Sequence, residues 1–223
     1  TMIVLMSAFL LLSAFSCGGG NKANSTSEQN EETVVNVPQF DADSAYLYVK
    51  NQVDFGPRVP NTKEHVACGN YLAGQLEAFG AQVTNQYADL IAYDGTLLKA
   101  RNIIGSYKPE SKKRIALFAH WDTRPWADND SDEKNHKTPI LGANDGASGV
   151  GALLEIARLV NQQQPELGID IILLDAEDYG APQFYTGKHK EEFWCLGSQY
   201  WARNLHVQGY NARFGILLDM VGG

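Results

Sequence analysis

The chain has 223 residues, of which 44% are hydrophobic, and its formal net charge at pH 7 is -8. This apolar content over this length is enough for one globular domain with a sizeable core and argues against a fibrous repeat. The negative charge disfavours a nucleic acid as a partner, because binding to phosphates requires a basic surface.

The amino-terminal segment carries a targeting pattern. Residues 2–15 are apolar but too few to span a bilayer, and small residues precede Cys17. This resembles a bacterial lipoprotein signal, so we expect a signal peptide over residues 1–16 and a lipid anchor on Cys17. A plain secretory signal with an incidental cysteine predicts nearly the same location, the bacterial cell envelope. Residues 17–37 are polar and glycine-rich, which predicts a flexible tether.

The next block predicts two helices and a hairpin. Apolar spacing favours a helix over residues 40–54 and a second one between an N-cap at Thr62 and Gly80. Residues 82–90 and 97–107 are typical of strands joined by a turn at Asp94-Gly95. We expect this block to supply core and one sheet edge, with His65 exposed to solvent on its helix.

Three short apolar runs predict buried strands at residues 114–120, 171–174 and 214–218. A helical pattern opens at Gly146, and a shorter one follows over residues 197–205. Strands that alternate with helices favour an α/β fold with a mixed, mainly parallel central sheet flanked by helices. In such sheets the functional crevice lies outside the carboxyl ends of the strands.

Acids follow all three strands, and the first strand also ends in a histidine. The set is His120, Asp122, Asp175, Glu177, Asp178 and Asp219, joined by Asp145 at the start of the helical pattern. Carboxylates that converge on one edge repel each other unless a cation holds them. Imidazole and carboxylates without thiolates are the ligands of a catalytic zinc. The alternative is that Asp145 caps a helix and the other acids are solvated independently.

Two long loops flank these strands. Residues 122–141 contain alternating acids, but Glu133 and Pro139 occupy the positions where a calcium loop needs glycine and glutamate, so we expect a solvated acidic loop that includes Asp128. Residues 178–196 are rich in aromatic side chains that build a pocket or cover the sheet edge. Cys68 and Cys195 either pair or remain as buried thiols.

Four ordered motifs carry a family resemblance. They are Phe-Ala-His120-Trp-Asp122, Gly-Ala-Asn-Asp145-Gly-Ala-Ser-Gly, Leu-Leu-Asp175-Ala-Glu177-Asp178 and Leu-Leu-Asp219. In order and spacing they resemble the M28 zinc-exopeptidase superfamily. Within it, the stretch from His120 to Asp128 is most similar to bacterial glutaminyl-peptide cyclotransferases of the animal type. The resemblance extends over residues 40–223 and implies a zinc-exopeptidase-like catalytic domain at residues 38–223.

The resemblance also implies roles for individual residues. Asp145 and Asp178 match zinc ligands, and Glu177 matches the catalytic acid/base. His120 and Asp219 match ligands of a second metal in the peptidases, whereas in the cyclases the counterpart of Asp219 is a catalytic acid. Asp122 would orient His120.

The family's last zinc ligand is a histidine well beyond Asp219, so we expect a C-terminally truncated chain that is inactive by itself. The implied activity is zinc-dependent formation of N-terminal pyroglutamate from peptides that begin with glutamine, with one zinc ion. A two-zinc M28 aminopeptidase is the first alternative. A peptide-binding lipoprotein without catalysis is the second.

Overall fold

The structure is a computed structural model that describes residues 36–222. The predicted signal peptide, Cys17 and residues 18–35 of the predicted tether lie outside the described residues. From Pro38 onward the chain forms one compact unit. Within the described range, none of the helices combines the length and the hydropathy needed to cross a bilayer.

Four helices and five strands follow one another along the described chain. The helices are α1 (Ala42–Val53), α2 (Lys63–Ala78), α3 (Ala147–Gln162) and α4 (Leu196–Arg203), and the strands are β1 (Gln82–Ile91), β2 (Leu97–Tyr107), β3 (Arg114–His120), β4 (Gly168–Leu174) and β5 (Gly215–Leu217). The bounds that the sequence predicts for these elements lie within three residues of those observed; for α3 the sequence predicts only the start. Short 3-10 turns at Glu133–Asn135 and Glu191–Phe193 interrupt the two long loops.

Side-chain caps and a glycine turn explain the early boundaries. The Asp41 carboxylate accepts hydrogen bonds from the backbone N–H groups of Asp43 and Ser44, and the Thr62 hydroxyl accepts one from His65. The β1–β2 hairpin turns at Gly95, whose φ of +86° favours glycine.

The sheet has the order β1-β2-β4-β3-β5. Strands β4, β3 and β5 are parallel, whereas β2 runs antiparallel to both β1 and β4. The predicted mixed α/β sheet is confirmed, with two parallel and two antiparallel pairings among the described strands. Because β3, β4 and β5 run the same way, His120, Asp175 and Asp219 follow them at one edge of the sheet.

Helices cover both faces of the sheet. The larger core lies under α2 and α3 and includes Leu72, Leu153 and Ile171, all fully buried. On the opposite face, α4 contributes to two smaller cores. Its Trp201 packs against Ile104 and Ile172, and its Leu196 packs with Leu98.

One strand differs from the expectation of burial. The apolar residues of β5 are exposed, with Ile216 at 47% and Leu217 at 63%. Within residues 36–222, β5 is an edge strand that pairs only with β3. The apolar run therefore predicted the strand and its parallel direction correctly but not its exposure.

Candidate metal centre

His120 lies at the centre of the acidic edge. It is the last residue of β3 and is 3% exposed. Its Nε2 lies 2.9 Å from Asp145 Oδ1 and 3.6 Å from Asp219 Oδ1. Ligand atoms of these three residues lie within 4.8 Å of one another, and no other group of three meets this criterion among the described residues. A buried imidazole that faces two carboxylates is suited to a shared cation.

Asp145 reaches this centre from the loop before α3. The N-cap of α3 is Gly146, and no side chain caps the helix by a hydrogen bond. The alternative in which Asp145 only caps a helix is therefore wrong. Gly146 itself packs against His120, because a Cβ added there would lie 2.5 Å from the His120 carbonyl oxygen and 2.6 Å from Cε1.

Asp122 joins His120 to the residues that follow β4. It is completely buried, and its two oxygens accept hydrogen bonds from the backbone N–H groups of Glu177 at 3.0 Å and Asp178 at 3.1 Å. Oδ1 also lies 3.5 Å from His120 Nδ1. Burial opposes ionisation of Asp122, but His120 and the two N–H groups outweigh it and lower its pKa. Asp122 thus contacts the acid-bearing turn as well as the histidine that it was predicted to orient.

Glu177 and Asp178 are both rendered less acidic by their surroundings. Burial and the nearby Asp122 carboxylate raise the pKa of Glu177, whose Oε2 lies 3.9 Å from His120 Nδ1. Burial, followed by repulsion from Asp122 and Asp145, raises the pKa of Asp178 to about 8. Asp178 Oδ2 is buried without a partner. Asp178 does not belong to the group of three around His120, so the structure brings His120, Asp145 and Asp219 together more tightly than Asp145 and Asp178.

The electrostatics of the edge fit a bound divalent cation. Burial disfavours the charged imidazole, but the Asp122 and Asp145 carboxylates raise the pKa of His120 to about 11. Several groups here therefore retain protons that a cation would displace, because metal ligands bind in their deprotonated forms. One imidazole and several carboxylates, with no thiolate ligand, suit zinc, and His120 and Asp178 would supply lone pairs once deprotonated.

The catalytic candidates open onto a cavity of about 490 Å³ between β3, β5 and α4. His120, Glu177 and Asp219 contribute polar groups to its wall, and the apolar part includes Phe118 and Trp201. A concave apolar wall with a few convergent polar groups is typical of small-molecule sites.

Two arginines near the site gave no signal in the sequence. Arg58 is fully buried and donates to the carbonyl oxygens of Trp121, Leu141 and Gly142, which ties the end of β3 to the loop before Asp145. Arg124 donates to the Asp178 carbonyl at 3.1 Å and lies 3.5 Å from its carboxylate. Neither role is visible in sequence because the contacted carbonyl groups exist in every residue.

The predicted solvated loop is wrong at Asp128. This residue is 3% exposed and forms two hydrogen bonds of 2.6 Å with Arg124. Asp130, Asp132 and Glu133 of the same loop are exposed or half-buried, as expected. His136 lies 2.8 Å from the carbonyl oxygen of Asp130 and does not join the group around His120.

The predicted solvated position of His65 is also wrong. The side chain is 3% exposed, and its Nε2 lies 2.8 Å from Asp175 Oδ2 and 2.9 Å from Oδ1. Helical spacing could not reveal this contact, because the two residues are 110 positions apart.

Both described cysteines are free thiols. Cys68 is buried in the core, whereas Cys195 is half-buried and its Sγ lies 3.2 Å from Glu177 Oε1. Burial, together with the Glu177 contact, raises the pKa of Cys195 to about 12, so the thiol stays protonated and can donate to the carboxylate. Of the two interpretations that the sequence left open, the one with unpaired thiols is correct.

Aromatic residues of the second loop pack against the first loop and the hairpin turn. Trp126 contacts Tyr179, and Tyr93 at the hairpin turn contacts both Trp126 and Tyr185 in edge-to-face geometry. Trp194 lies under the Arg124 guanidinium. These side chains cover the hairpin end of the sheet and do not line the cavity beside Glu177.

Residues 102–223, more than half of the chain, match the sequence model of peptidase family M28. The chain belongs to this family. The M28 chain is 95% identical to the glutaminyl cyclase of Bacteroides thetaiotaomicron, solved with N-acetylhistamine, with a TM-score of 0.84 over 84% of this chain. It is also 95% identical to a leucine aminopeptidase precursor from the same species, with a TM-score of 0.85 over 85% of this chain. A Zn-dependent exopeptidase from Parabacteroides distasonis is 64% identical, with a TM-score of 0.82 over 84% of this chain.

These comparisons confirm the predicted family and the zinc-exopeptidase-like fold. The M28 chain covers 64%, 66% and 64% of the three solved chains, which is less than two thirds of each.

Replacement of Gly146 by alanine tests the centre directly. The added Cβ would collide with the His120 backbone and ring, so we expect zinc affinity to fall by about tenfold or more, the effect of misplacing a ligand. Chelator competition measures this affinity. Gly74→Ala is the matched control, because a Cβ at Gly74 meets nothing within 4 Å. The control should keep zinc affinity unchanged and gain about 0.5–1 kcal/mol in free energy of unfolding. Equal zinc affinity in the two variants would contradict a metal centre at His120.

Proposed function

We propose that the full-length protein is a zinc-dependent glutaminyl-peptide cyclotransferase, which converts N-terminal glutamine to pyroglutamate and releases ammonia. The observation that carries this proposal is the 95% identity with a glutaminyl cyclase over 84% of the chain. The placement of Glu177 beside His120 and Asp122 supports it, because this is the carboxylate that the reaction requires for proton transfer.

The reaction is an attack of the α-amine on the side-chain amide of the same residue. A carbon–nitrogen bond forms to the amine, and the bond to the amide nitrogen breaks. Both reacting groups belong to one residue, so correct orientation supplies much of the rate enhancement. A bound zinc ion would polarise the γ-carbonyl group.

Glu177 would take the proton from the attacking amine and donate it to the departing nitrogen. Burial raises the pKa of Glu177, and a carboxylate with a raised pKa exchanges protons more readily near neutral pH. Asp219, which lines the same cavity, would stabilise the charges that develop during the attack. Asp145 and Asp178, with His120 beside Asp145, would hold the zinc ion together with the further histidine that the family resemblance implies.

A second candidate is a two-zinc aminopeptidase. It is favoured by the tight group of His120, Asp145 and Asp219, which match the ligands of the second metal in the peptidases. The name of the leucine aminopeptidase precursor from Bacteroides thetaiotaomicron supports it as well.

Zinc content and substrate preference separate the candidates. We expect the full-length protein to bind one zinc ion per chain, to release ammonia from a peptide with N-terminal glutamine, and to leave leucine amide intact. Zinc is counted by elemental analysis and ammonia by a coupled assay. Two zinc ions per chain together with hydrolysis of leucine amide would contradict the cyclase assignment and support the aminopeptidase. Peptide binding without zinc or turnover would indicate a binding lipoprotein.

Replacement of Glu177 tests its assigned role. Glu177→Gln removes the proton-transfer group but keeps its size, so turnover should fall by a factor of about 10² to 10⁴ while zinc remains bound. Steady-state kinetics and elemental analysis measure the two effects. Glu166→Gln, at an exposed position between α3 and β4, is the control and should change neither. Loss of zinc from Glu177→Gln, with zinc retained in Asp178→Asn, would mean that the two acids have exchanged roles.

We also propose that the enzyme acts at the bacterial cell envelope, held by a lipid on Cys17. The apolar segment before Cys17 and the polar tether after it support this location. Expression of Cys17→Ser in a bacterial host should move the protein from the membrane fraction to the soluble fraction. Cys68→Ser is the control for a buried cysteine of the domain and should stay in the membrane fraction. An unchanged distribution of Cys17→Ser would argue against the lipid anchor.

A further inference from the structure

His65 is a buried histidine that the proposed reaction does not use. It lies in the first turn of α2, and its Nε2 faces both oxygens of Asp175 at 2.8 and 2.9 Å. Its ring stacks on Trp121, with centroids 4.3 Å apart and planes inclined by 16°. Both partners are completely buried. One side chain therefore contacts the segment after β3 and the segment after β4.

Asp175 is fixed by hydrogen bonds on every side. Its carboxylate accepts from the backbone N–H groups of Arg101 at 2.6 Å and Ala176 at 2.7 Å, in addition to His65. Its own N–H donates to Asn102 Oδ1 at 2.9 Å. A fully buried carboxylate is costly unless its lone pairs are satisfied, so the removal of the His65 donor should displace it.

The turn that follows Asp175 places Glu177, the proposed proton-transfer acid, and Asp178, a proposed zinc ligand. Ala176 has a φ of +50°, in the left-handed region that residues other than glycine rarely adopt. This conformation persists only where surrounding contacts enforce it. Glu177 and Asp178 follow at once, and their N–H groups donate to Asp122. A shift of Asp175 would move this turn and both acids with it.

The contact with Trp121 acts on the other half of the site. Trp121 lies between His120 and Asp122 and donates from Nε1 to the Arg101 carbonyl at 3.1 Å. Arg101 donates its N–H to Asp175, so His65, Asp175 and Trp121 form one buried network across three chain segments. Hydrogen-bonded groups behind metal ligands typically set the orientation of those ligands.

We propose that His65 is a positioning residue, which holds Asp175 and thereby sets the placement of Glu177 and Asp178 relative to His120. The effect on catalysis rests on the proposed function, whereas the effect on zinc binding does not. A packing role alone would require only the ring stack on Trp121.

Three substitutions separate the donor from the packing. His65→Phe keeps an aromatic ring over Trp121 but removes the donor to Asp175. His65→Gln retains an N–H donor near the position of Nε2, and Asp175→Asn removes the accepting carboxylate. His136→Phe, in the loop before Asp145, is the matched control, because the ring of His136 faces a loop carbonyl at 2.8 Å and lies outside the group around His120.

We expect His65→Phe and Asp175→Asn in the full-length protein to lower kcat by about 10- to 100-fold with KM within about twofold, and to weaken zinc binding by a similar factor. His65→Gln should recover most of both losses, and His136→Phe should match the unmodified protein. Thermal unfolding gives the unfolding temperature of each variant. Kinetics on the glutamine peptide and chelator competition are then measured below that temperature.

A folded His65→Phe variant with kcat and zinc affinity within twofold of the unmodified protein would overturn the proposal, as would equal losses in His65→Phe and His65→Gln. If His65→Phe does not fold, Asp175→Asn decides by the same criterion. If the unmodified protein acts on neither test substrate, the proposed function fails. Zinc affinity then decides alone: tenfold weaker binding in His65→Phe than in His65→Gln supports positioning, and equal binding excludes it.

Discussion

The site depends on one buried carboxylate that joins two strand ends. Asp122 is completely buried after β3, yet its two oxygens accept the N–H groups of Glu177 and Asp178, which follow β4. The same carboxylate lies 3.5 Å from His120 Nδ1. An ionised carboxylate without these donors would be very costly to bury. The cost of burial therefore forces the segments after β3 and β4 into one arrangement, and that arrangement fixes the separation of the His120 imidazole from Glu177 and Asp178.

The sheet topology makes this arrangement possible. Parallel β4, β3 and β5 bring their carboxyl ends to one edge, and antiparallel β2 brings its amino-terminal half to the same edge. This is why Arg101 and Asn102 of β2, which carry no catalytic role, both hydrogen bond to Asp175. The sequence predicts that the hairpin block supplies core and one sheet edge. In the structure it also supports the turn that carries Glu177. His65 on α2 supports the same turn from the helical layer.

Local sequence patterns predicted the helices, the strands and the acidic edge. They could not predict contacts between residues that lie far apart in the sequence. Apolar runs and caps such as Thr62 depend on neighbours within a few residues, so the bounds of the helices and strands were accurate. Residues at the ends of parallel strands share an edge by geometry, and His120 and Asp219 were placed together for that reason. His65 was wrongly expected in solvent because its partner is 110 residues away. Asp128 was misjudged because its burial depends on the fold of the whole loop around Arg124, although the two residues are only four positions apart. Helical or strand periodicity contains no information about a distant partner or about the fold of a loop.

Asp145 and Asp219 form the exposed corner of the candidate metal centre. His120, Asp122 and Asp178 are all buried and have contacts that restrict them, but the side chains of Asp145 and Asp219 are 36% and 41% exposed. Asp219 also follows the short, exposed strand β5, so the core restrains it less than any other acid of the centre. In the proposed cyclase this carboxylate would stabilise charge in the reaction, whereas in the alternative, a two-zinc aminopeptidase, it would complete a ligand set with His120 and Asp145. The two candidate functions therefore share the buried residues of the site and differ in the role of the exposed Asp219.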